Sequence, residues 1–116
     1  MKAVALTRYL PIDDPQSLQD VELPDPAPGA HDLLVRVEAV SVNPVDTKVR
    51  SPEPQVEAQP KVLGYDAAGV VEAVGASVVG FRPRDRVYFA GDGTRPGVRA
   101  RPDTAARAPS SVPISA

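Results

Sequence analysis

The chain has 116 residues and no cysteine, which excludes disulfides, zinc–thiolate sites and thiol nucleophiles. Its formal net charge of -2 argues against a nucleic-acid or membrane partner that binds through charge. The first residues lack the apolar core of a secretory signal, and no apolar run approaches the roughly 20 residues that span a bilayer. We therefore expect one small cytoplasmic domain.

Several short segments have the features of β-strands. In the clearest one, apolar side chains alternate with Arg36 and Glu38, which is the period of a half-buried strand. Turns rich in proline and glycine separate the segments, and this pattern predicts a mainly β protein that forms a small, partly open barrel. In chain order, the predicted strands are Lys2–Tyr9, Asp20–Leu23, Asp32–Val42, Ala67–Val74 and Val87–Phe89.

One helical turn interrupts the strands. Asn43 is a good N-cap, Pro44 suits the first helical position, and Asp46 falls at the third, where a carboxylate meets free backbone amides. The segment Ser51–Pro60, which contains widely spaced prolines, is predicted to be a loop.

The segment Phe81–Asp85 is predicted to be a turn, with two backbone geometries open to it. A type II turn places the residue after Pro83 at positive φ, which glycine allows and Arg84 resists. Keeping that turn would strain Arg84 by on the order of 1 kcal/mol. A type I turn would avoid the strain.

The composition changes near the C-terminus. Residues 93–116 hold four arginines against one aspartate, and their aliphatic residues are Val98, Val112 and Ile114. Such a segment buries too little apolar surface to offset the entropy of ordering it. We predict that residues 98–116 form a disordered tail.

Four segments carry a family resemblance: Leu33–Lys48, Leu63–Val71, Val74–Gly75 and Asp85–Asp92. Together they resemble the N-terminal, GroES-like catalytic domain of the medium-chain dehydrogenase/reductase family. The likeness covers residues 1–97, and it is nearest to the zinc-independent branch of quinone oxidoreductases and zinc-type alcohol dehydrogenase-like proteins. It implies a GroES-like, partly open β-barrel that is incomplete in this chain.

The same resemblance shows where zinc-dependent relatives hold their metal. They place a cysteine near the position of Val45, and a histidine where this chain has Tyr65. Zinc catalysis needs thiolate or imidazole ligands that leave one coordination position open for a substrate oxygen. This chain offers neither ligand at these positions, so we expect no zinc.

The resemblance implies a metal-free polar site. In zinc-independent relatives the asparagine of this motif lies near the bound nicotinamide, which assigns cofactor binding to Asn43. Tyr65 is the catalytic candidate, because its hydroxyl would donate a hydrogen bond to a carbonyl or quinone oxygen that gains negative charge as hydride arrives. Asp46 and Asp66 are weaker catalytic candidates.

Three of these four residues also have a purely structural explanation. Asn43 is explained as a helix cap alone, and Asp46 as a first-turn carboxylate. Tyr65 is explained as a packed aromatic side chain whose hydroxyl is satisfied within the protein.

Two further features suggest chemistry at first sight. Gly91-Asp92-Gly93 begins like a dinucleotide fingerprint, but Pro96 occupies the place of the third glycine and no βαβ unit surrounds it. We interpret that match as accidental. His31 follows a Pro/Gly turn and has no second histidine to share a metal, so it is predicted to be a solvated loop residue.

Taken as a whole, the resemblance implies NADPH-dependent, metal-free reduction of a quinone or another activated carbonyl or enone. Relatives continue into a complete Rossmann domain and are often homo-oligomers. We expect this chain to supply only the substrate-side domain and to be inactive alone. The alternative is a non-catalytic GroES-like module for interaction or oligomerisation.

The tail also suggests how the chain came to be short. Its Arg/Ala/Pro/Ser-rich composition is what an out-of-frame reading of a GC-rich gene gives, so we expect a truncated or frameshifted gene. A real short protein with a disordered tail is the alternative.

Overall fold

The computed structural model describes the backbone of residues 1–91, 99–100 and 105–107, and the side chains of residues 1–91 and 105. These residues form, in order, β1 (Lys2–Tyr9), β2 (Gln19–Glu22), β3 (Leu33–Ser41), α1 (Pro44–Val49), β4 (Glu53–Val62), β5 (Asp66–Val74), β6 (Arg86–Ala90), β7 (Arg99–Ala100) and β8 (Ala105–Arg107). The protein is therefore mainly β, as the sequence predicts. Within the described part of the chain, no helix is long and apolar enough to cross a membrane.

The chain divides into two compact units. The first unit consists of Met1–Asp25 and Val42–Leu63, and it contains β1, β2, α1 and β4. The second unit consists of Pro26–Ser41 and Gly64–Ala116, and it contains β3 and β5 to β8. Each unit has one antiparallel sheet, and the outer strands of each sheet are not paired with one another in the described residues, so both sheets are open.

The sheet of the first unit has the order β2-β1-β4. Its central strand, β1, has the bounds that the sequence predicts, and it contributes the buried side chains of Ala5, Leu6 and Tyr9. β2 begins and ends one residue earlier than predicted.

The prediction of a loop over Ser51–Pro60 is wrong, because residues Glu53–Val62 form β4. Proline argues against a central strand, since it cannot donate a hydrogen bond to a neighbour. β4 lies at the edge of its sheet and pairs with β1 alone, in a register that is irregular on both sides of Arg8. Proline is tolerated at such an edge and at such irregularities.

A side-chain cluster, which we call the Tyr9 cluster, joins β1 to β4. The Tyr9 hydroxyl donates a hydrogen bond to the Glu57 carboxylate and accepts one from the Lys61 ammonium at 3.2 Å. Gln55 donates to the same Glu57 oxygen at 3.0 Å. The hydrogen bond to Glu57, and then burial, raise the pKa of Tyr9 above its usual 10.0, so the hydroxyl keeps its proton. These side chains hold β4 where its backbone pairing is interrupted.

The sheet of the second unit has the order β7-β3-β5-β6-β8 and contains the larger core. The alternation predicted for β3 is confirmed at Leu33 and Val35, which are buried, and at Arg36, which is exposed. The buried residues of this core are Leu33, Val35, Val71, Val87 and Phe89.

β7 and β8 were not among the strands that the sequence predicts. They lie within the segment predicted to be disordered, and they pair with β3 and β6 respectively. The rest of that segment, residues 98, 101–104 and 108–116, lies outside the described residues. Short strands that attach to an existing sheet through backbone hydrogen bonds leave little signal in composition.

Of the two turn geometries that the sequence allows before β6, the structure has the type II turn, which strains Arg84. Arg84 has a φ of 76°, and the Asp85 N–H donates to the Arg82 carbonyl at 3.2 Å, as in a type II turn. The Arg84 N–H donates to the Val71 carbonyl at 2.8 Å, and the Val71 N–H donates to the Asp85 carbonyl at 2.9 Å. These bonds to β5 hold Arg84 in a conformation that its side chain disfavours.

We expect Arg84→Gly to raise the free energy of unfolding by on the order of 1 kcal/mol. Relief of a left-handed conformation is worth about 1–2 kcal/mol, and the greater unfolded-state entropy of glycine offsets about 0.5–1 kcal/mol of it. Urea unfolding measures the change. Arg84→Ala is the control, because it removes the exposed side chain and keeps the β-carbon. Equal stability of the two variants would contradict strain as the cause.

Candidate functional site

Asn43 and Asp46 meet at the start of α1. Asn43 is the N-cap, with extended backbone angles (φ -128°, ψ 164°), and Pro44 follows at the first helical position, as the sequence predicts. The Asp46 carboxylate accepts a hydrogen bond from the Asn43 backbone N–H at 2.7 Å, while the Asp46 N–H donates to the Asn43 carbonyl at 2.9 Å. This reciprocal pair fixes the backbone from which the Asn43 side chain extends.

The same contact defines what Asp46 does in the fold. One carboxylate oxygen is used by the Asn43 N–H, and the other is buried and accepts no hydrogen bond from the described residues. A carboxylate held in this way is poorly placed to exchange protons with a substrate. Its observed contact therefore orients Asn43.

Tyr65 lies in the short connection that leads into β5. Gly64 before it has a φ of 104°, a backbone conformation that residues other than glycine rarely adopt. The Tyr65 carbonyl accepts a hydrogen bond from the Gly91 N–H at 2.5 Å. Its side chain is half-buried, and no hydrogen bond to its hydroxyl is formed by the residues that the structure describes.

Asp66 is the first residue of β5, paired with Ser41 of β3 and with Ala90 of β6. It lines an open depression of about 650 Å³ in the second unit. The lining is mostly apolar, and such a surface with a few polar groups suits a small, largely apolar ligand. The lining residues are Ala39, Val40, Ser41, Asp66, Ala67, Ala68, Tyr88, Phe89, Ala90 and Ala105.

The predicted site residues thus form two pairs. Asn43 and Asp46 are joined by hydrogen bonds in the first unit, and Tyr65 and Asp66 are consecutive in the second. His31 is exposed in a turn, in keeping with the prediction of a loop residue.

Sequence reasoning missed two parts of this region. It dismissed Gly91 together with the accidental fingerprint, and only the register of β6 against β5 shows the close backbone approach at this glycine. It also missed Tyr88, which is 53% exposed on β6 and lines the depression. The alternation of polar and apolar residues in β6 is too short to show which face is open.

The residues present do not fit a catalytic zinc ion. Val45 and Tyr65 stand where the resemblance places the cysteine and histidine ligands of zinc-dependent relatives. Among the described residues there is no group of three or more histidine, cysteine, aspartate or glutamate side chains that could hold a metal ion. Zinc sites in enzymes generally use three protein ligands.

With this fold and site, the protein belongs to a family of oxidoreductase domains. Residues 29–103 match the alcohol dehydrogenase GroES-like domain, and the chain is a member of that family. The GroES-like fold predicted from the sequence is therefore confirmed.

The chain is similar to individual members of this family and to solved structures. The chain is 41% identical, over 86% of its length, to a zinc-type alcohol dehydrogenase-like protein of Staphylococcus aureus. Over 98% of its length, it superposes on the structure of a putative zinc-dependent alcohol dehydrogenase from Rhizobium etli, with a TM-score of 0.89 and 49% identity. It also matches Escherichia coli quinone oxidoreductase in complex with NADPH, with a TM-score of 0.81 and 28% identity over 98% of the chain.

The match covers only part of these proteins. The chain spans 29% of the length of the Staphylococcus aureus protein, 34% of the Rhizobium etli chain and 35% of the Escherichia coli chain.

We expect Asp46→Ala to speed hydrogen exchange of the Asn43 backbone amide by at least about tenfold, because a hydrogen bond to a charged group is worth roughly 1.5–3 kcal/mol. Asp13→Ala is the matched control, since Asp13 is an exposed aspartate of the same unit. Amide exchange followed by NMR measures both. An unchanged Asn43 rate in Asp46→Ala would show that the carboxylate does not hold this amide.

Proposed function

We propose that this chain serves as the substrate-side domain of a metal-free, NADPH-dependent oxidoreductase that reduces a quinone or another activated carbonyl. The observation that carries the proposal is its likeness, over 98% of its length, to a quinone oxidoreductase in complex with NADPH. The described residues agree with that likeness, because they offer hydrogen-bonding groups and include no cluster of side chains that could hold a zinc ion.

The cofactor would supply hydride when bound, and the chain's own residues would bind and orient the nicotinamide and the substrate. Asn43 is assigned to the nicotinamide, where its side-chain amide would hold the carboxamide group. The Asp46 carboxylate keeps the Asn43 backbone in place through the 2.7 Å hydrogen bond. An amide suits this role, because its NH2 group can donate to the carbonyl oxygen of a carboxamide.

Tyr65 is assigned to the oxygen of the substrate. When hydride reaches a quinone or an enone, the carbonyl oxygen gains negative charge, and a donor already aimed at it lowers the barrier. The Tyr65 hydroxyl is free to donate, since the described residues do not occupy it. Asp66, which lines the depression, would accept a hydrogen bond from a hydroxyl group of the ligand or product.

The exposed apolar surface around the depression favours a second candidate, a non-catalytic interaction module. Val40 is 72% exposed and Tyr88 is 53% exposed, and both residues line the depression. Exposed apolar patches often mark protein-binding surfaces. Activity measurements separate this candidate from the enzyme.

A chimera tests the enzymatic proposal. In Escherichia coli quinone oxidoreductase, whose structure holds NADPH, the part that matches this chain is replaced by this chain, and NADPH oxidation with a soluble quinone is followed by absorbance. We expect turnover by the chimera and none by the 116-residue chain alone, because its sequence contains no complete G-x-G-x-x-G fingerprint to anchor the cofactor. A folded chimera without activity would favour the interaction module, and turnover by the chain alone would contradict its proposed dependence on another domain.

Two substitutions in the chimera test the residue roles. Asn43→Ser keeps a helix-capping side chain and removes the amide, so we expect a raised KM for NADPH with α1 intact. We expect Tyr65→Phe to lower kcat by on the order of a hundredfold, as the loss of one oxyanion donor does elsewhere. Circular dichroism of each variant checks the fold. A kcat unchanged by Tyr65→Phe would remove Tyr65 from the mechanism.

We expect the chain, purified without a histidine tag, to contain no stoichiometric zinc. Its sequence has no cysteine, and His31 is its single histidine. Mass-spectrometric elemental analysis after dialysis measures the metal content. A value close to one zinc per chain would show that another ligand set exists and would overturn the metal-free proposal.

A further inference from the structure

The backbone hydrogen bond between Gly91 and Tyr65 extends the β5–β6 pairing past the last paired residues. The two strands end at the pair of Asp66 with Ala90. One residue further, the Gly91 N–H donates to the Tyr65 carbonyl at 2.5 Å. The pairing thus reaches the residue to which the substrate-side hydrogen bond is assigned.

Only glycine fits opposite Tyr65 at this distance. A β-carbon at position 91 would lie 2.7 Å from the Tyr65 carbonyl oxygen, and 3.5 Å from both its carbonyl carbon and its Cα. A contact of 2.7 Å between carbon and oxygen is well inside their normal separation, and a backbone atom cannot swing aside as the end of a side chain can. Any larger residue at position 91 must therefore push Tyr65 away.

The other neighbour of Tyr65 is constrained as well. Gly64 has a φ of 104°, so the chain enters Tyr65 through a turn that glycine permits. The Tyr65 backbone is thereby fixed from the preceding residue and from the opposite strand. Its hydroxyl, by contrast, receives no hydrogen bond from the described residues. The position of the Tyr65 main chain therefore decides where its side chain begins.

We propose that Gly91 is a positioning residue for Tyr65. It touches the Tyr65 backbone and acts through it, so that the hydroxyl stands where the substrate oxygen develops charge. The positioning of Tyr65 is inferred from the backbone contact alone. The effect of that positioning on catalysis rests on the proposed function. It gives a role to a glycine that otherwise belongs to an accidental dinucleotide motif.

Fluorine NMR on the 116-residue chain tests the positioning directly. The chain has three tyrosines, so labelling with 3-fluorotyrosine gives three signals, and Tyr65→Phe identifies the one from Tyr65. We expect Gly91→Ala to move the Tyr65 signal by more than its line width. Gly80→Ala is the matched control: Gly80 has a φ of 90° and open space around it, so the substitution adds backbone strain without contact to Tyr65. A Tyr65 signal that Gly91→Ala leaves in place would overturn the inference.

Kinetics of the chimera test the consequence. We expect Gly91→Ala to lower kcat by about tenfold to a hundredfold with little change in the KM for NADPH, since misplacement by about 1 Å costs up to a hundredfold. Gly80→Ala should lower the melting temperature and leave kcat unchanged. A kcat loss of the same size in both variants would show that Gly91 acts through general stability, against the inference.

The two proposals fail separately. If Gly91→Ala moves the Tyr65 signal while Tyr65→Phe retains full kcat, the positioning stands and the catalytic role of Tyr65 is wrong. If Gly91→Ala does not fold, amide exchange in the unsubstituted chain decides: we expect the Gly91 N–H to exchange as slowly as the paired amides of β6. Exchange at the unprotected rate would overturn the inference.

Discussion

The antiparallel pairing of β3 with β5 is the constraint on which the second unit depends. It runs from Leu33 opposite Val74 to Ser41 opposite Asp66, and every other strand of the sheet attaches to one of these two directly or through β6. Its last pair also marks where the chain leaves and re-enters the sheet. Asn43 follows Ser41 by two residues, and Tyr65 directly precedes Asp66. Both candidate segments therefore adjoin, along the chain, the last residue pair of β3 with β5.

Elements with local causes could be predicted from the sequence. Asn43, Pro44 and Asp46 supply a cap, a first-turn proline and a first-turn carboxylate within four residues, and α1 begins there. The turn at Arg84 was predicted only as a choice between two geometries. The choice is made by hydrogen bonds between the turn and Val71, thirteen residues away, which the local sequence does not contain. Tertiary contacts decide such cases against the local preference of the residue.

The elements that sequence reasoning missed depend on contacts that are distant along the chain. Tyr9 and Glu57, whose side chains join β1 to β4, are 48 residues apart. The local sequence does not show this contact, so its prolines predict a loop. Gly91 likewise gains its meaning only once β6 is placed beside β5, because the close approach to Tyr65 follows from that register. The site residues were found through a family resemblance, which carries such long-range information without showing its physical cause.

The two prolines of β4 also bear on how the protein behaves at high concentration. An exposed edge strand can template the addition of a strand from another molecule, the first step of many insoluble deposits. Pro54 and Pro60 have no N–H to offer to such a strand, and charged Glu53, Glu57 and Lys61 lie along the same segment. The side of the three-stranded sheet formed by β4 is therefore a poor seed for polymerisation. The same prolines that predict a loop from the sequence therefore protect this edge against aggregation by strand addition.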